Sequence, residues 1–74
     1  MHKKIKTLDL ISFLKDNRYK YYSISLIINN LIVATHTISY RKFHIYDEDI
    51  FDNTIKWTEK EFLEVYNNAT WCID

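Results

Sequence analysis

Residues Lys20–Tyr40 read KYYSISLIINNLIVATHTISY, and the pair Asn29-Asn30 at their centre decides the fold. The residues on either side are β-branched or aromatic, which suits extended strands. The chain contains no glycine. Asparagine is the side chain that best tolerates positive φ in its place. Asn29-Asn30 therefore reads as the two-residue turn of a β-hairpin. A two-residue turn fixes the register. Ile28 falls opposite Leu31, Leu26 opposite Val33, Ile24 opposite Thr35 and Tyr22 opposite Thr37, on a face expected to pack against helices. Ile27 with Ile32, Ser25 with Ala34, Ser23 with His36 and Tyr21 with Ile38 form a mixed face, of the kind antiparallel sheets leave to water.

Helices are expected on both sides of this hairpin. In KTLDLISFLKDNR, Leu10, Ile11, Phe13 and Leu14 share one stripe at helical spacing. Thr7 stands where an N-cap belongs, and Asp9 lies in the first turn, where the helix dipole favours an anion. In WTEKEF, Thr58 and Glu61 match a capping box, and Trp57 with Phe62 matches a hydrophobic staple. A second helix therefore starts at Glu59, with Phe62, Val65, Tyr66 and Ala69 as its buried stripe. It ends at Asn67-Asn68 or runs on into ATWCID. Between hairpin and helix, RKFHIYD alternates, with Phe43 and Ile45 on one side and His44 and Tyr46 on the other. It is either a third strand after a turn near Tyr40-Arg41 or a bent continuation of the second. The fold class expected is α+β: a small two-layer domain running helix, antiparallel hairpin or three-stranded meander, helix.

The 74 residues make one domain, with 1–6 expected as a flexible basic tail. A chain this short supports one compact core but not a deep substrate cavity besides. Its one cysteine, Cys72, excludes an intrachain disulfide and fits a reducing compartment. No apolar run is long enough to span a bilayer. The expected location is the cytoplasm, with no membrane partner. The Ile-, Lys- and Asn-rich vocabulary suggests AT-rich coding, as in low-GC bacteria, their phages and plasmids.

Catalytic motifs are missing. Without glycine there is neither a phosphate-binding loop nor a dinucleotide fingerprint. His36, His44 and Cys72 have no spacing that implies a nucleophile–base pair. YDEDIFDN (Tyr46–Asn53) is acidic enough to suggest calcium. Counted from Asp47, however, the fifth place of a calcium loop is Phe51, the sixth is Asp52 instead of glycine, and the twelfth is Thr58. No cofactor or metal is expected, and the chain is read as a non-enzyme.

Formal charge is zero but unevenly spread: the chain is basic up to Tyr46 and acidic from Asp47 onward. The simplest reading is attraction between the halves within the fold. The sharper one is two faces of opposite sign offered to partners. Tyr and Trp are enriched at protein contacts, and the chain has more of them than its core needs. The leading expectation is a protein-binding module. Its most specific form is a phage or mobile-element protein that inhibits a host protein, such as a defence-system nuclease. The contact residues expected are Asp47, Glu48, Asp49, Asp52, Tyr21, His36, Tyr40 and Trp71. The alternative is a nucleic-acid-binding or regulatory protein acting through the basic N-terminal half (Lys3, Lys4, Lys6, Arg41, Lys42), with a second copy of the chain as a further partner.

Overall fold

The computed structural model describes residues 3–48 and 53–73. Along the chain run β1 (Lys4–Lys6), α1 (Thr7–Asp16), β2 (Tyr22–Ile28), β3 (Leu31–Arg41), β4 (His44–Glu48), β5 (Thr54–Trp57), α2 (Glu59–Val65) and β6 (Thr70–Ile73). The strands form one antiparallel sheet in the order β1-β6-β2-β3-β4-β5. The α+β class is met, but the sheet exceeds the expected hairpin or meander. Residues 4–6, expected in a flexible tail, pair with β6 instead. The stretch after Asn67-Asn68 is a strand and not a helix extension. The segment before the capping box is the edge strand β5.

Both helices pack on one face of this sheet. Leu10, Ile11 and Leu14 of α1 are buried against Ile24, Ile38, Tyr40, Ile45 and Trp71, and Phe62 of α2 joins them. Each buried Leu or Ile contributes about 1.5–3 kcal/mol of transfer free energy. The start of α2 follows the sequence closely. Glu61 N–H donates to Thr58 Oγ1, Thr58 N–H donates to Glu61 Oε1, and the Trp57 and Phe62 rings lie 5.9 Å apart. Val65, assigned to the buried stripe, is exposed, because α2 ends there and its last turn overhangs the sheet.

The hairpin turn is where the sequence puts it: Asn29 and Asn30 both have positive φ, 52° and 63°. The register then departs from expectation. Ile28 faces Leu31 and Ile27 faces Ile32, but Leu26 faces Ala34, so Val33 is an extra residue bulged into β3. Beyond the bulge every β3 side chain changes face. Ile38 and Tyr40 enter the core with Ile24, while Thr35, Thr37 and Ser39 turn to the outer face. The unbulged register would have set those three hydroxyls on the helix-facing side and Ile38 on the other. Burial of Ile38 and Tyr40 therefore favours the slip. At the turn end Ile28, Leu31 and Val33, expected to pack, are exposed, and so is Ile32 of the mixed face.

The second hairpin turns at Lys42-Phe43, with φ of 50° and 64°. For residues other than Gly, Asn and Asp the left-handed region costs roughly 1–2 kcal/mol each. Phe43, expected beside Ile45, sits instead on this turn, 76% exposed.

Thr7 is not a side-chain cap; that position falls to Lys6, whose side chain makes no cap bond. The Thr7 hydroxyl is buried. It donates to the Tyr66 carbonyl at 2.7 Å and accepts the Trp71 indole N–H at 2.8 Å. One hydroxyl thus joins the start of α1, the end of α2 and the centre of β6. Replacing Thr7 with Val, which keeps the shape, leaves a buried N–H without its partner and takes a donor from a carbonyl. At about 1–3 kcal/mol per unsatisfied group, T7V is expected to lower ΔG of unfolding by about 2–4 kcal/mol in denaturant titration, and T7S by clearly less.

Candidate functional site

The bulge brings His36 and Asp47 together on the helix-facing side of the sheet, Asp47 buried and His36 half-buried. His36 follows Ala34 onto the helix-facing side of β3, and Asp47 reaches the same side of β4 because Ile38 and Asp47 are register partners. His36 Nδ1 and Asp47 Oδ2 are 2.8 Å apart. The Trp71 and Tyr66 rings meet the imidazole edge-on at 5.8 and 6.2 Å. Asp47 holds the His36 pKa above the ordinary imidazole value, chiefly through this hydrogen bond and further through its charge, with burial opposing. Burial, helped by the Asp47 carboxylate, pushes the Tyr66 phenol up as well. His36 Nε2 is buried with no hydrogen-bond partner among the described residues.

A histidine oriented by a carboxylate is the base half of a nucleophilic pair. The nucleophile half does not join it. Cys72 pairs with Ser25 on the outer face of the sheet, whereas His36 pairs with Ile24 on the inner face. The arrangement is an ion pair tying β3 to β4 beneath aromatic rings.

Three other expected contact residues also move inward. Tyr40 is buried, with its hydroxyl donating to Glu59 Oε2 at 2.8 Å. That hydrogen bond, followed by Lys15 at 3.2 Å, holds Glu59 below the usual carboxylate range. Trp71 is fully buried at the centre of the ring cluster. Asp47, expected to face out with its acidic neighbours, is buried, since it is the partner of His36. Glu48 lies on the outer face and accepts a hydrogen bond from the Tyr21 hydroxyl at 3.2 Å; Tyr21 is exposed. Asp49 and Asp52 lie outside the described residues. The acidic and aromatic surface expected as one patch is therefore divided between core, outer face and the segment beyond description.

The basic half divides too. Lys6 belongs to the row of Thr70 and Ile27, at the Asn29-Asn30 end. Arg41 lies nine positions along β3 from Ile32, about 30 Å at roughly 3.3 Å per residue. The cations therefore form two groups at opposite ends.

The surface that sequence reading missed is apolar. Ile28, Leu31, Ile32, Val33 and Val65 are all more than half exposed. Beside them, Leu26, Ile28, Val65, Tyr66 and Ala69 line a groove of about 430 Å³ between β2 and the α2–β6 turn. Its signal in the sequence is the conflict of alternation within β3, where odd positions are apolar before Ala34 and even ones after. Comparison with known protein families, curated proteins and solved structures finds no match.

The His36–Asp47 pair sets a pH dependence. A raised native pKa means that its stabilisation is full below about pH 6.5 and is lost as pH rises through the native value. Glu59, with a lowered pKa, contributes above the carboxylate range and loses its contribution as pH falls. Stability is thus expected to peak in mild acid. The denaturation midpoint should fall between pH 6 and 9, and D47N should flatten that decline.

Proposed function

We propose that this chain is a non-enzymatic protein-binding module that engages its partner through the apolar hairpin end. The observation that carries the reading is the exposure of Leu31 and Ile32, 68% and 65%, beside Ile28, Val33 and Val65. Single exposed apolar residues are ordinary, whereas several gathered at one end of so small a domain mark an interaction site. The adjoining groove would take one large side chain of the partner, and Asn29, Asn67 and Asn68 at its rim offer hydrogen bonds. This differs from the acidic and aromatic surface expected from sequence, with Asp47, Tyr40 and Trp71 now serving the core.

In its most specific form the partner is a host protein, such as a nuclease of a defence system, and the chain is an inhibitor carried by a phage or mobile element. Small size, the missing catalytic motifs and the AT-rich vocabulary support that form. The cytoplasm of a low-GC bacterium is the corresponding location. Among the described residues, no helix is long and apolar enough to cross a membrane.

The test is affinity capture from a low-GC bacterial lysate with wild type, L31D/I32D and, as a control, E48K. The expected result is a protein retained by wild type and E48K but bound roughly 30-fold more weakly by L31D/I32D, the scale of a lost hot spot. Equal retention by all three rejects the apolar end as the contact.

A further inference from the structure

The opposite end of the molecule carries two left-handed turns side by side. In the α1–β2 turn Tyr19 has φ 67°, and its N–H donates to the Tyr40 carbonyl at 3.0 Å. In the β3–β4 turn Lys42 and Phe43 are left-handed as well. Tyr19 is 70% exposed and Phe43 more so. A bulky residue at positive φ is an outlier, and such strain gathers where ligands bind. Here it holds two aromatic rings out into water, on turns tied together through Tyr40.

The chemistry around the rings is cationic. Arg18, Lys20, Arg41 and Lys42 flank them, and residues 17–22 and 40–46 contain no Asp or Glu. Arg41 lies over the Tyr46 ring at 4.3 Å, on the outer face. Arg18 lies over the Tyr40 ring at 5.7 Å, its Nε donating to the Lys15 carbonyl at 3.2 Å. On the adjoining α2, Glu59 is engaged by Lys15 and Tyr40 and Glu61 by Thr58, while Glu64 is exposed in the helix's last turn. The neutral total charge does not cancel this local field, because screening confines a phosphate's attraction to within about 10 Å at 0.1 M salt.

We infer that this end binds single-stranded nucleic acid, with bases stacking on Phe43 and Tyr19 and phosphates drawn to Arg18, Lys20, Arg41 and Lys42. Exposed rings among cations are the combination that unpaired bases on a charged backbone require. An acidic peptide would satisfy the cations and leave both rings in water. A duplex would keep its bases stacked on each other. The surface lies about 30 Å from the apolar end along β3, at roughly 3.3 Å per residue, so the inference stands apart from the proposed protein contact.

Fluorescence anisotropy of the full chain with labelled oligo-dT and oligo-rU, from 25 to 200 mM salt, tests it. Four phosphate contacts predict a slope of about −2.8 for log affinity against log salt, and K20A/K42A should halve it. Phe43→Gly relieves the backbone and removes the ring. It should raise Tm while weakening binding about tenfold, as expected for one lost stack. Tyr19→Ala gives a second reading of stacking. Absence of salt-dependent binding overturns the inference, as does affinity unchanged in both F43G and Y19A. Polyglutamate bound as tightly as the oligonucleotides, with no loss in F43G, would instead assign this end to an acidic peptide.

Discussion

One extra residue, Val33, governs the rest of this structure. Before the bulge, β3 alternates with Leu31 and Val33 on one side; after it, Ile38 and Tyr40 share a side with Ile24. A strand with a single phase cannot put both sets on the helix-facing side. The bulge does so: Leu31 opposite Ile28 and Ile38 opposite Tyr22 share the face of Ile24. The core covers Ile38 and Tyr40 but leaves the turn end exposed, and His36 is carried inward with Ile38. The core, the internal ion pair and the candidate contact surface thus follow from one conflict of pattern within 11 residues.

A largely buried His–Asp pair is costly unless its surroundings reward it. Asp47 could have been left in water with its acidic neighbours. It is instead fixed by the β4 register, which buries Ile45 two residues earlier and so commits Asp47 to the same face. His36, committed by the bulge, is placed to meet it. The rings of Trp71 and Tyr66 complete the enclosure, and Thr7 anchors both of them through the indole N–H and the Tyr66 carbonyl. The polar atoms at the centre of this fold therefore form two small systems that share Trp71 and Tyr66.

Much was legible in the sequence wherever a signal is local. The Asn29-Asn30 turn, the Leu10-Ile11-Leu14 stripe and the Thr58–Glu61 box each depend on residues within four positions, and each is present. The failures depend on remote partners. Lys-Ile-Lys at 4–6 has no strand pattern of its own and becomes β1 only because β6 lies beside it. Thr70–Ile73 alternates over four residues, too few to outweigh a preceding helix. The inward course of Tyr40 and Asp47 follows from register, and that register depended on a bulge that no glycine or proline announces; that of Trp71 follows from its pairing with Leu26. Thr7 looked like a cap because caps and buried hydroxyls share a residue type, and only the position of Trp71 separates them.

A chain without glycine must place its left-handed residues with care, and the six described here divide by chemistry. Asn29, Asn30 and Asn68 are the inexpensive choices, and they stand at the apolar end, where the turns only connect elements. Tyr19, Lys42 and Phe43 are the expensive ones, and all stand at the other end. Asparagine is plentiful in this sequence and would have relieved each of those turns. Strain confined to one end, and borne by aromatic and cationic side chains alone, is not what turn geometry by itself would select. It is what a surface retained for its side chains would show.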